Sequence, residues 1–132
     1  MYELSEQSRA FQARLQAFMD EHVYPNEALY ASQLHASPSR FAAVPLMDDL
    51  KARAREAGLW NLFVSPQHAE YCDHGGFSNL DYAPMAEMMG RVLWSPEIFN
   101  CNAPDTGNME VLMKYGDEAQ RERWLTPLLA GE

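Results

Sequence analysis

Apolar residues recur every three or four positions near the start of the chain, which is the spacing of one face of an α-helix. Ser5 suits the N-cap of this segment, and Pro25 follows it. The pattern predicts a first helix over about residues 5–24 that ends at Pro25. Its inward stripe is predicted to comprise Leu4, Phe11, Leu15, Phe18 and His22. Residues 26–44 lack a sustained period and are predicted to be loop-like, with room for a short helical turn.

A second amphipathic segment begins at Pro45, since proline suits the first helical position, and Gly58 ends it. Its buried stripe is predicted to be Leu46, Leu50, Ala54 and Ala57. The apolar run at residues 59–64 has the composition of either a strand or a buried connector. A connector is favoured because the sequence offers no second run for it to pair with. Residues 65–78 are predicted to form a loop.

Ser78 or Asn79 is predicted to cap a third helix. One face of this helix is predicted to carry Tyr82, Ala86, Met89 and Leu93. Gly90 within it costs roughly 1 kcal/mol relative to alanine, so a close helix crossing is expected there. The Ser-Pro-Glu sequence at residues 95–97 then predicts a short helix with serine as its cap and proline in its first turn.

The last thirty residues predict two further helices with a sharp joint between them. Gly116 is expected to end the first in a left-handed conformation, which glycine adopts without a Cβ clash. Asp117 is expected to cap the second, with Gln120 at the spacing of a capping box. The apolar residues that follow need burial against other parts of the fold, and they are Trp124, Leu125, Leu128 and Leu129.

These elements predict an all-α fold, an orthogonal or up-down bundle of about five to six helices in a single domain over residues 1–132. Hydrophobic residues make up 47% of the 132 residues, which is typical of a globular chain. The net charge of −9 argues against a nucleic-acid partner. The sequence lacks an apolar window long enough to span a bilayer, and its acidic start is unlike a signal peptide. Two cysteines make no disulfide scaffold, so a cytoplasmic protein is expected.

The candidate chemistry is sparse. A cluster at residues 68–74 holds two histidines, a cysteine and an aspartate. A structural zinc site usually needs two spaced pairs of ligands, and the sequence offers only this one cluster. An exposed glycine-rich turn is therefore favoured, and no metal is expected. Glu87, Glu97 and Glu110 lack the Glu-x-x-His pairs of a di-iron bundle. Cys101 has no basic neighbour in sequence to activate it as a nucleophile. The usual glycine-rich phosphate-binding motifs are also missing. The residues alone therefore indicate a soluble, acidic helical domain.

A family resemblance takes the interpretation further. Residues 107–132, with their Tyr-Gly-Asp joint, resemble the end of the N-terminal helical domain of acyl-CoA dehydrogenases. Residues 57–63 resemble the family's helix-to-loop junction, residues 74–79 its Gly-Gly loop, and residues 82–91 the helix after that loop. The four segments stand in the family's order, and the similarity covers the chain from about residue 5 to its end.

The resemblance implies a flavoprotein built from a helical N-terminal domain, a central β-domain and a C-terminal helical bundle. Such enzymes bind FAD and oxidise the Cα–Cβ bond of an acyl-CoA thioester, with a glutamate as base. The flavin and the base are held mainly by the β-domain and the bundle, which are absent here. The chain is therefore expected to carry no catalytic or cofactor-binding residue and to be inactive and free of FAD alone. Full-length members are commonly homo-oligomers.

The resemblance also implies that this domain supplies part of the acyl-chain pocket. Carried over by position, the wall residues are Ile98, Phe99, Asn102, Ala103, Thr106 and Met109. An equally open interpretation is that these six residues are simply packed between helices. A second function also stands as an alternative, a non-catalytic helical protein-interaction module that keeps the packing of the domain.

Overall fold

The computed structural model describes residues 3–39 and 41–132, and every regular element within these ranges is helical. The all-α prediction is confirmed. The α-helices are α1 (Glu6–Phe18), α2 (Glu27–Ala36), α3 (Pro45–Glu56), α4 (Asn79–Met89), α5 (Ser95–Ile98), α6 (Asp105–Tyr115), α7 (Glu118–Gln120) and α8 (Thr126–Ala130). Among the described residues, none of the helices combines the length and apolar character needed to cross a membrane.

The first helix covers nearly the predicted residues. Ser5 caps α1 by accepting a hydrogen bond from the Ser8 backbone N–H. A π-helical turn over Met19–Val23 then follows, and because such a turn carries an extra residue, Val23 rather than the predicted His22 is fully buried.

Pro25 follows the helical run over residues 6–23, so the predicted boundary near Pro25 is confirmed. It lies in a 3₁₀ turn over Tyr24–Asn26, where its missing N–H costs little, and α2 follows directly. The loop predicted for residues 26–44 therefore contains a ten-residue helix. None of the α2 residues over 27–36 is buried, which explains why the helix leaves no apolar period in the sequence.

The second predicted helix and its connector are confirmed. Helix α3 starts at Pro45 and buries Leu46, Leu50 and Ala54, and Gly58 takes a positive φ of 64° just after it. Residues 59–64 are a buried, non-helical connector. The predicted loop at residues 65–78 is interrupted by a 3₁₀ segment over Pro66–Tyr71.

Helix α4 is shorter than its sequence pattern suggests. Ser78 caps it, accepting from the Asp81 backbone N–H, as predicted. The helix ends at Met89, so Gly90 is an exposed C-cap and the close crossing expected there is absent from the described chain. Leu93 falls beyond the helix and is 96% exposed, contrary to its place in the predicted stripe.

Helix α5 begins at the residue that was predicted to be its cap. Trp94 is the N-cap, so Ser95 is the first helical residue and the capping prediction for it is wrong. The Ser95 hydroxyl is fully buried and donates instead to the Met89 carbonyl, which ties α5 to the end of α4. The Trp94 ring stacks on Tyr30 of α2 with centroids 4.2 Å apart.

The joint near the end of the chain has the predicted cap and a different glycine geometry. Gly116 has an extended conformation, with φ −66° and ψ 141°, so the left-handed prediction is wrong. A Cβ there would approach the Leu112 carbonyl oxygen to 2.6 Å, which accounts for glycine at this position. Asp117 and Gln120 form the predicted capping box at the start of α7. A π turn over Arg121–Leu125 then joins α7 to α8.

Loss of this capping box gives a measurable prediction. Asp117 Oδ1 accepts from the Gln120 N–H at 2.8 Å, and Gln120 Oε1 accepts from the Asp117 N–H at 3.0 Å. Asp117→Ala is expected to lower the free energy of unfolding by about 1 kcal/mol, because the Gln120 N–H loses its acceptor. Glu118→Ala is the control, since this first-turn acid contributes only the helix-dipole effect of a few tenths of a kcal/mol. Urea unfolding should show a larger loss of stability for Asp117→Ala than for Glu118→Ala. Equal losses would contradict a capping role.

The core consists of two clusters that meet at the segment between α5 and α6. The larger cluster includes Leu15, Leu50, Met85 and Phe99, among other buried residues. The smaller cluster comprises Phe63, Val64, Met109, Met113 and Leu125. Cys101 packs against both clusters. The segment that carries the six predicted wall residues therefore runs along the boundary between the two clusters.

Candidate functional site

The six predicted wall residues separate into a buried and a surface group. Three of them are 0% exposed, and these are Ile98, Phe99 and Met109. Asn102 and Thr106 are partly exposed, and Ala103 is exposed. A ligand that contacts this region from solvent would therefore reach residues 102–106 first, with the buried group packed behind them.

Two neighbouring cavities open on either side of Asn102 and share Glu97. The smaller has a volume of about 210 Å³ and is also lined by Lys51, Asn100, Asp105, Leu128, Gly131 and Glu132. The larger has a volume of about 340 Å³ and is also lined by Leu93, Trp94, Pro96, Cys101 and Ala103. The structure thus brings Asn102 and Ala103 to an open, mixed polar and apolar surface, whereas Thr106 lies one helical turn further along.

The charge at this surface is acidic and partly neutralised. Lys51 Nζ lies 2.8 Å from Glu97 Oε1, and both side chains are part-exposed. Asp105 accepts a hydrogen bond from the Asn102 amide at 3.4 Å. A flavin would need N–H groups or cations for its pyrophosphate, and the lysine here is already paired. These cavities therefore do not fit the FAD that the resemblance implies.

Two buried asparagines behind Asn102 form a polar pair that the sequence did not reveal. Asn61 and Asn100 are 5% and 6% exposed and have φ values of 55° and 54°. Asn100 Nδ2 donates to Asn61 Oδ1 at 2.7 Å and to the Leu128 carbonyl at 2.8 Å. Asn61 Nδ2 donates to the Leu129 carbonyl at 3.1 Å. Asparagine between apolar neighbours at both positions was the available signal, because this residue tolerates the left-handed conformation.

The same region caps the last helix of the chain. The final carbonyls of a helix lack partners inside it. Here Leu129 accepts from Trp60 Nε1 at 2.9 Å as well as from Asn61, and the Arg55 guanidinium donates to the Ala130 carbonyl. Gly131 follows with φ 77°, and its N–H bonds to Leu128. Side chains from α3, the connector and the turn after α5 therefore hold the end of α8 in place.

The loop at residues 65–78 joins this network through His74. Its Nε2 lies 3.1 Å from the Asn61 carbonyl, while Nδ1 accepts from the Gly76 N–H at 3.2 Å. The ring stacks on Phe77 with centroids 4.7 Å apart. Within residues 3–39 and 41–132, no three histidine, cysteine or acidic side chains are arranged to hold a metal ion.

The environment of His74 predicts a pH-dependent stability. Burial lowers the pKa of His74 below its ordinary value of 6.5, against smaller opposing effects of the Asn61 carbonyl and Asp73. As the pH falls, His74 therefore takes up a proton at a higher pH in the unfolded chain than in the folded one. Its contribution to the free energy of unfolding is fully present above about pH 6.5 and is lost as the pH drops toward the folded-state pKa. Urea unfolding between neutral and mildly acidic pH should show this slope, and His74→Asn should flatten it. An equal slope in both proteins would contradict the assignment.

The buried thiol of Cys101 is poorly suited to nucleophilic chemistry. Burial raises its pKa to about 11, despite hydrogen bonds from Phe63, Tyr82 and Leu62 that oppose this shift. The thiolate is the reactive form of cysteine, and it is scarce at neutral pH under these conditions. Cys101 is therefore a packing residue at the boundary between the two clusters.

Comparison with known proteins identifies the domain. A family model described as acyl-CoA dehydrogenase, N-terminal domain, matches residues 5–132. Acyl-CoA dehydrogenase family member 10 of Mus musculus is 46% identical over 130 residues, which cover 97% of this chain and 12% of that protein. The probable acyl-CoA dehydrogenase FadE2 of Mycobacterium tuberculosis is 44% identical over 136 residues, covering 99% of this chain and 31% of that protein.

A solved structure gives the same result for the fold. A protein from Mycobacterium abscessus, assigned as an acyl-CoA dehydrogenase, superimposes with a TM-score of 0.84 at 46% sequence identity. The match covers 98% of this chain and 33% of that one. The chain thus spans about a third or less of the length of these relatives.

Proposed function

Because the chain belongs to the acyl-CoA dehydrogenase family through its N-terminal domain, we propose that it serves an FAD-dependent enzyme that oxidises the Cα–Cβ bond of an acyl-CoA thioester. Its part in that enzyme is to form one wall of the acyl-chain pocket. The observation that carries the proposal is the match of the whole domain, residues 5–132, to this one family. Proton removal and hydride transfer fall to groups outside the residues described here.

The surface at residues 102–106 supports the proposed wall. Asn102 and Ala103 line open cavities, and behind them Ile98, Phe99 and Met109 are fully buried. Close packing behind a ligand surface makes its shape rigid, so side-chain volume there excludes an acyl chain that is too long by steric overlap. In this proposal Asn102, Ala103 and Thr106 contact the chain, and the buried group fixes where they lie.

Acyl-CoA oxidation by the domain and by the complete gene product distinguishes the proposal from the alternative of a non-catalytic protein-interaction module. The 132-residue chain and the complete product of its gene would be purified, and the flavin absorbance of each protein would be recorded. Each would then be assayed for acyl-CoA-dependent reduction of an artificial electron acceptor. The complete product is expected to carry flavin and to oxidise an acyl-CoA, and the 132-residue chain to do neither. A complete product without acyl-CoA-dependent reduction would contradict the proposal and favour a non-catalytic interaction module. Turnover by the 132-residue chain alone would contradict its assignment as a supporting wall.

A further inference from the structure

We propose that Asn61 and Asn100 are positioning residues for the acyl-chain wall. Their side-chain pair fixes the segment after α5 against the end of α8, and so sets the depth of the pocket. This inference rests on the proposed function and deepens it by naming residues that act on chain-length selection without touching the acyl chain.

The backbone at each asparagine redirects the chain. Both residues have a left-handed conformation, which costs a side chain of ordinary type about 1 kcal/mol or more and which asparagine tolerates best after glycine. Asn100 lies two residues after α5, with its N–H bonded to the Glu97 carbonyl at 3.1 Å, and turns the chain toward Asn102. The Asn61 N–H bonds to the Phe99 carbonyl at 3.0 Å. The connector and the turn after α5 are thereby joined through the backbone as well as through the side chains.

The Asn100 amide joins three separate segments. Its two N–H groups contact Asn61 Oδ1 and the Leu128 carbonyl, so the connector, the turn after α5 and α8 meet at one group. Among the described residues, every buried side-chain nitrogen and oxygen has a hydrogen-bond partner. Removing the amide would leave the buried Asn61 Oδ1 without its donor and the Leu128 carbonyl with only the Gly131 N–H, and the three segments would separate or admit water.

Three of the six wall residues lie within two residues of Asn100 in the sequence. Phe99 precedes Asn100 in the sequence, and Asn102 follows it after one residue. Asn100, Asn102 and Leu128 line the same cavity of about 210 Å³. A displacement of about 1 Å at a ligand-positioning surface is enough to change rates up to about a hundredfold. Loss of the pair should therefore alter how deep an acyl chain can enter.

The test uses the complete gene product and two glycine variants, Asn100→Gly and Asn61→Gly. Glycine keeps the left-handed conformation and removes only the side-chain amide. The values of kcat and KM would be measured with butyryl-CoA, octanoyl-CoA and palmitoyl-CoA. The ratio of kcat/KM between the longest and shortest substrates is expected to shift by about tenfold, mainly through KM, since the reacting end of the substrate is untouched. The double variant should shift the ratio by less than the sum of the two single effects, because the hydrogen bond between Asn61 and Asn100 is lost in each of them.

Two controls separate positioning from general destabilisation. Asp117→Ala weakens a helix cap away from the pair, and it should leave the chain-length ratio unchanged. Asn61→Asp keeps the acceptor for the Asn100 amide but loses the donor to the Leu129 carbonyl, so its ratio should lie between those of the wild type and Asn61→Gly. An active wild type with an unchanged ratio in both glycine variants would overturn the positioning role alone. A wild-type protein that oxidises none of the three thioesters would overturn the proposed function, and the inference with it.

Discussion

Replacing Phe99 with alanine is expected to lower the free energy of unfolding by about 3–5 kcal/mol. The Phe99 side chain is 0% exposed, and its ring meets that of Phe18 edge to face with centroids 5.2 Å apart. Alanine would leave a cavity where α1 and α5 meet, and it would also remove the favourable aromatic contact. Chemical denaturation of the 132-residue chain, followed by far-ultraviolet circular dichroism, would measure the loss.

Leu93→Ala is the matched control for this substitution. Leu93 is of similar apolar character and lies six residues earlier, but its side chain is 96% exposed. Its truncation should change stability by less than about 0.5 kcal/mol. A loss below about 1 kcal/mol for Phe99→Ala would contradict the packing described here, and it would favour a Phe99 side chain that serves a ligand more than the core.

Gly76→Ala is expected to destabilise the domain by at least about 3 kcal/mol, because two separate penalties add. The φ of Gly76 is 84°, a conformation that residues with a Cβ rarely adopt. A Cβ there would also lie 2.6 Å from backbone atoms of Ser65 and Pro66. Backbone atoms cannot rotate aside as a side chain can, so the loop would have to separate from the connector. The Phe77 N–H to Val64 carbonyl hydrogen bond of 2.9 Å lies at that junction and would be strained.

Gly75→Ala isolates the conformational part of this effect. Gly75 has a φ of 79°, close to that of its neighbour, but a Cβ there would enter open space among the residues that the structure describes. Its replacement should therefore cost only about 1–2 kcal/mol. The difference between the two variants, read from their unfolding midpoints, measures the steric overlap at Gly76. Equal losses would show that the predicted overlap is relieved by a small movement of the loop.

Local chemistry made much of the fold predictable. Ser5, Ser78 and Asp117 each cap the helix that the sequence assigned to them, because a cap depends on hydrogen bonds to residues only three positions away. The stripe of α3 was predicted for the same kind of reason, since one continuous helix packs a single face on the core. Features decided within about one helical turn can be read from a single sequence.

The errors fall where tertiary contacts decide the outcome. Helix α2 contains no buried residue over 27–36, so it has no apolar period to detect. The π turn at the end of α1 exchanges His22 for Val23 on the inward face, and its extra residue has no sequence signal of its own. Leu93 matches the period of α4 but lies beyond its end, where the chain has already turned. Gly116 is required by the nearby Leu112 carbonyl and not by a positive φ.

The candidate site was less accessible to sequence reasoning than the fold. The positions of its wall residues come from family resemblance, and the contact of each with an acyl chain stays a prediction. The asparagine pair joins residues 39 positions apart, and its partners in α8 lie 28 and 68 positions away. No local pattern specifies such contacts, because each asparagine alone has the sequence context of an ordinary turn.

The capped end of α8 also bears on how the chain folds as it is synthesised. The donors in Arg55, Trp60 and Asn61 leave the ribosome well before their acceptors, which follow 68 to 75 residues later. A nascent chain that stops short of α8 exposes these donors and lacks Leu128 and Leu129, which pack against the smaller core cluster. Folding of the whole domain therefore has to wait for its final helix to emerge, and a ribosome stalled before that point would hold a chain that needs chaperone protection.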